Sequence, residues 1–245
     1  MFGSAALAFG VVALAWPGYY DSLQLAHLWN AGNGWAFASA ASIAQVIGGA
    51  ATWFRRTTVA GGLLLAAVYL SIAFLCIPAI VAEPRVYDRW GNFFEQFSLA
   101  IGAGLVYAQA SPPGRRETFA RAGRLVFGAC TVSFCIEQAI HLDATASLVP
   151  KWLPPGQMAW AVATTVAFAL AAVSLIANRS ALLAIRLQTW MLVLFGIIVW
   201  LPLLFADPHA HGNQSETVET FAIAGTAWML AELLGAATNR GLDGC

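Results

Sequence analysis

Residues 58–82 read TVAGGLLLAAVYLSIAFLCIPAIVA, 25 positions without one Asp, Glu, Lys, Arg or His. A helix of that length rises about 37 Å at 1.5 Å per residue. The hydrocarbon core of a bilayer takes about 20 mostly apolar residues per helix, so this stretch spans with length to spare. A soluble core helix of such uniform apolarity would need partners on every side. A barrel strand would be about 10 residues of alternating polarity, and no alternation is present. Lipid offers no partner to backbone N–H and C=O groups, so the stretch predicts a transmembrane helix.

Seven further stretches of the same kind lie on either side. All eight run over 2–22, 35–54, 58–82, 92–110, 121–142, 157–177, 181–205 and 217–237. Polar or proline-rich punctuation separates them, most plainly Ser111-Pro112-Pro113-Gly114-Arg115-Arg116. The composition agrees. Of 245 residues, 60% are hydrophobic and 10% charged, against about 25% charged in soluble domains. The mean hydropathy is +0.71. The first 16 residues have no basic n-region, so they read as the first span rather than a cleavable leader. The expectation is an all-α, polytopic transmembrane bundle of eight helices.

Charge sorts by side. With eight spans, the termini and the second, fourth and sixth connections carry Arg55, Arg56, Arg115, Arg116, Arg121, Arg124, Arg179, Arg186 and Arg240. The remaining connections carry Arg85, Arg89 and Lys151. Basic loops stay in the cytoplasm, which places both termini there and points to a bacterial inner membrane. Most acids, among them Asp21, Glu83, Asp88, Glu95, Glu137, Asp143, Asp207, Glu216 and Glu219, fall on or near the outer side. So do all four histidines, His27, His141, His209 and His211. Balanced charge, 12 basic against 12 acidic residues, gives no reason to expect a nucleic-acid partner. Cys76, Cys130, Cys135 and Cys245 form no CxxC pair, and three lie in apolar runs as small hydrophobes.

The chain also repeats. A shift of 124 residues lays Arg55 on Arg179, Pro78 on Pro202, Ala82 on Ala206, Pro84 on Pro208, Glu95 on Glu219, Phe97 on Phe221 and Ala100 on Ala224. A shift of 118 lays Phe9-Gly10 on Phe127-Gly128. Two four-helix units are expected, residues 1–112 and 119–239. An even number of spans per unit makes the repeat a parallel one.

Ionisable groups in or at the edge of spans are costly and mark candidate sites. Glu137 and His141 stand four apart on the fifth stretch, a spacing that shares a helical face. Glu95 and Glu219 are repeat-related, and a helix N-terminus favours carboxylates at such places. These four are the candidate cofactor-contacting residues. Imidazole and carboxylate also suit transition metals, so Glu137, His141, His209 and His211 form a candidate metal set. Few polar groups besides Gln45 lie near a midplane, and that scarcity speaks against a small-solute carrier. Trp16, Trp29, Trp35, Trp90, Trp152, Trp160 and Trp200 map towards the outer ends, as an interfacial belt or as the lining for a flat ligand such as a quinone.

From Glu137-Gln138 through His141 to Val149-Pro150-Lys151-Trp152-Leu153-Pro154-Pro155-Gly156, the sequence resembles the DoxX-like family of small bacterial membrane proteins. The resemblance covers about residues 121–237 and, more faintly, 2–110. In the first unit, Tyr19, Tyr20 and Leu23 stand in the places of Glu137, Gln138 and His141, and Asn30-Ala31-Gly32 replaces the proline-rich turn. The resemblance implies a four-helix unit. It also implies a membrane subunit or anchor in a quinone-associated redox assembly, with protein partners in that complex and any site confined to the second unit. A metal-binding membrane protein and a small-solute carrier are the alternatives. No catalytic motif of its own is evident.

Overall fold

The computed structural model describes residues 1–16, 25, 32 and 34–242, with side chains to residue 237. Asp21, His27, Trp29, Asn30, Ala31 and the Tyr19, Tyr20 and Leu23 positions lie outside the described residues, as does Cys245. Among the described residues the architecture is all-helical, without a strand. Helices are α1 (Phe2–Ala15), α2 (Gly34–Ala51), α3 (Thr58–Ala82), α4 (Asp88–Gln109) and α5 (Pro113–Ile140). They continue as α6 (Leu142–Leu148), α7 (Gln157–Ala177), α8 (Ala181–Ala206) and α9 (His211–Leu242). Helix α8 changes to π-helical hydrogen bonding over Gly196–Trp200 before resuming.

Five helices are long and apolar enough to cross a membrane: α3, α5, α7, α8 and α9 up to Ala237. That is the pattern of a multi-pass membrane protein. Their outward faces carry large apolar side chains, including Phe74, Val81, Leu170, Val173, Leu183 and Phe205, where a soluble protein would place charge. Helices α2 and α4 are less apolar for a physical reason. Gln45 of α2 and Gln96 and Ser98 of α4 are buried among other helices.

The chain packs sequentially. Helix α1 lies on α2, α2 on α3 and α3 on α4. The second half matches: α5 lies on α7, α7 on α8 and α8 on α9. The halves join through α4 against α5, α9 against α1, and α4 against α9. Small residues allow the tightest crossing. A Cβ on Gly49 of α2 would sit 2.6 Å from the Leu7 nitrogen and 2.7 Å from the Gly3 oxygen of α1. Between α5 and α8, the buried amide of Gln188 donates to Thr131 Oγ1 at 3.0 Å. At the end of α7, the guanidinium of Arg124 donates to the Leu175 carbonyl and, at 3.3 Å, to that of Ile176. A cation there satisfies terminal carbonyls and the negative end of the helix dipole.

The core is filled differently in the two halves. In the first, Tyr69 packs its fully buried ring 6.4 Å from that of Phe2 and 6.5 Å from that of Phe9. In the second, α5, α7, α8 and α9 stand around an open space.

Candidate functional site

That space is a cavity of about 550 Å³. Aromatic and aliphatic side chains make most of its wall. Phe134 of α5, Phe168 of α7 and Phe195 of α8 form an edge-to-face series with centroids 6.0 and 6.4 Å apart. Trp160, Trp190 and Trp200 also line it. The roof is the segment after α5: Leu148, Val149, Pro150 and Leu153. Two bonds from α7 hold that roof down. Gln157 donates to the Val149 carbonyl at 2.6 Å, and the Trp160 indole donates to the Pro154 carbonyl at 2.8 Å.

The wall's charged groups are Glu95 and Glu137, and its other polar groups include Gln138, Thr145, Thr164 and Thr220. Gln138 faces α7, its Oε1 3.3 Å from the Thr164 and Thr165 hydroxyls, whose single protons also have the nearer Trp160 and Ala161 carbonyls at 3.0 and 2.8 Å. Gln138 thus brings an amide donor to the cavity wall. Glu137 turns its carboxyl towards α4, where it packs on Gly91. A methyl group at Gly91 would overlap both carboxylate oxygens. Glu95 of α4 shares the cavity wall with Glu137 of α5. Glu219 is buried and accepts a hydrogen bond from Gln96 at 2.7 Å. Glu95 and Glu137 are half-buried, and a carboxylate withdrawn from water needs a proton, a cation or strong donors. The ion pairs formed among the described residues, Arg89–Glu83, Arg121–Glu117 and His141–Asp88, reach neither Glu95 nor Glu137.

The candidate residues fall into separate settings. Glu137 and His141 form no ion pair with each other; His141 stands just past the end of α5 as its cap, its backbone N–H donating to the Glu137 carbonyl at 2.9 Å. The His141 imidazole meets the Asp88 carboxylate at 2.7 Å instead, at the exposed rim. His211 stacks on Trp16, ring centroids 5.0 Å apart. The backbone N–H of His209, with that of Ala210, donates to Asp207 Oδ1 at 3.2 Å, so His209 belongs to a local turn. Among the described residues, no three His, Cys, Asp or Glu side chains gather in a group able to hold a metal. Cys76, Cys130 and Cys135 are free thiols, the first two buried.

Next to the site, the Tyr87 hydroxyl donates to Ser133 Oγ at 3.1 Å, tying the start of α4 to α5. Burial pushes the Tyr87 phenol up from its ordinary value, which keeps it a donor. Gly91 and Asp88 are the participants that sequence reasoning did not assign to the site. Their contacts depend on how α4 crosses α5, and no local pattern announces them. Of the residues quoted for the resemblance, Glu137, Gln138, Val149, Pro150 and Leu153 line the cavity, whereas His141, Trp152 and Pro154 do not.

No protein-family model, curated protein or solved structure matches the chain.

Proposed function

We propose that this protein is a multi-pass protein of a bacterial inner membrane that holds a lipid-soluble ligand of the quinone class. It serves as a membrane subunit or anchor of a redox-linked assembly, exchanging electrons through a protein partner. Helices α1, α2 and α4 join the five apolar helices as spans, making eight in two parallel four-helix units with cytoplasmic termini. The sequential packing of each half, and the reciprocal contacts of α4 with α5 and α9 with α1, support the duplication. The second unit is read as DoxX-like.

The observation that carries the functional reading is the cavity wall itself. It is apolar and aromatic, with an amide at Gln138 and carboxyls at Glu95 and Glu137. Ligand sites of this size are mostly apolar with a few placed polar groups. A quinone head is flat, stacks on aromatic rings, and presents two carbonyls that accept hydrogen bonds. Its reduction takes up protons, which carboxyls in the wall are placed to exchange.

Extraction of the protein into native-lipid nanodiscs, followed by quantitation of bound quinone by mass spectrometry, tests this. About one quinone per chain is expected, falling severalfold in Gln138→Leu, which removes the amide donor at the cost of about one hydrogen bond. Quinone no more abundant than in protein-free nanodiscs of the same lipid would overturn the reading.

A further inference from the structure

The shape of the cavity goes further than its chemistry. Its lining on α8 runs from Leu187 to Trp200. Thirteen residue steps along a helix are about 20 Å. A volume of about 550 Å³ lined over that length makes the cavity an elongated slot, wide enough for an extended hydrocarbon chain. The polarity is uneven along the slot. Glu137, Gln138 and Thr164 lie towards the roof, whereas Leu187, Trp190 and Leu194 make the far end. Those three are also 61%, 58% and 48% exposed. The slot thus opens at the surface of the bundle there.

We propose that the ligand is a quinone with a long hydrocarbon tail, entering sideways from the bilayer. Its head lodges under the roof by Glu137 and Gln138, and its tail lies along α8 with the end reaching lipid past Leu187. The proposal rests on the quinone reading and adds the tail seat. Lipid is as apolar as the slot, so transfer from membrane to protein gains nothing from the hydrophobic effect. The gain is in packing against the slot's walls, so tail dependence must be measured at equal concentration within the membrane.

The test uses the full chain in nanodiscs, with quenching of intrinsic tryptophan fluorescence by a tail-less benzoquinone and by the same head bearing a decyl chain. Each concentration is corrected by its measured partitioning into lipid. The decyl compound is expected to bind about tenfold tighter. The paired substitution Leu187→Phe with Leu194→Phe narrows the apolar end without adding a fluorophore, and should bring the two affinities within about twofold of each other. Val173→Phe, on the lipid-facing side of α7, should keep the tenfold difference. Equal membrane-phase affinities for both compounds in the wild-type protein would overturn the tail seat and leave the quinone reading standing. Quenching by neither compound would overturn both.

Discussion

The carboxyl of Glu137 rests on the bare Cα of Gly91, one helix away. Gly91→Ala should therefore turn the carboxyl out of place without disturbing the helix crossing, because the group in the way is the end of a flexible side chain. Affinity for a quinone head, read by tryptophan quenching, should fall about five- to tenfold, the worth of one hydrogen bond. The melting temperature should move by no more than a few degrees. Gln188→Leu tests the buried polar contact between α5 and α8. Thr131 keeps its bond to the Phe127 carbonyl at 2.9 Å, so no hydroxyl is orphaned. The cost should be below about 1.5 kcal/mol by denaturation in mixed micelles, in line with interhelical hydrogen bonds in membranes. At this scale the acid was legible and its partner was not. An ionisable residue deep in an apolar run marks itself. The pairing of His141 with Asp88 joins residues 53 apart in sequence, across the contact of α4 with the end of α5.

Helix limits show what hydropathy measures. Residues 58–82 and 157–177 are helical over the same limits as their apolar stretches. The stretches beginning at 92, 121 and 217 belong to helices that begin earlier, at Asp88, Pro113 and His211. Hydropathy reports contact with lipid, whereas backbone hydrogen bonding continues into the polar first turns, where Arg115 donates to the Tyr107 hydroxyl at 2.9 Å and Arg116 to the Gln109 carbonyl at 2.7 Å. Two elements left no legible signal. Helix α6 is a short turn of helix folded over the cavity as its roof. The π-helical segment of α8 places Phe221 against Gly196, so that a methyl group there would meet the ring at 2.5 Å. Such segments are common at functional sites, and this one supplies Ile198, Val199 and Trp200 to the cavity wall. Element packing carries its own prediction. Gly49→Val would force α1 from α2 and should destabilise the protein by about 2–3 kcal/mol or more. Gly104→Ala, with nothing within 4 Å of its new methyl, should be neutral or slightly stabilising. Both are read from denaturation in the same micelles.

Across the whole molecule, the account turns on polarity from one side of the membrane to the other. Arg124 caps α7 at one end. Glu137 and the His141–Asp88 pair lie at the other, around the roof of the cavity and its rim. The proposed charge sorting and repeat are readings of the sequence alone, because both are properties of spacing. The cavity could not be read so, since it depends on Phe2, Phe9 and Tyr69 filling one half while aromatic residues in the other half only line its walls. The proposed topology is what sets the roof at the outer face and opens the slot within the bilayer. Labelling single cysteines, placed in a background without Cys76, Cys130, Cys135 and Cys245, tests it most directly. A membrane-impermeant maleimide is applied to intact cells whose outer face is accessible. Cysteines at Lys151 and His209 should react before lysis. Cysteines at Arg55, Arg115 and Asn178 should react only after it. Reaction of any of these last three in sealed cells at the rate of the Lys151 site would contradict the eight-span, polarised bundle.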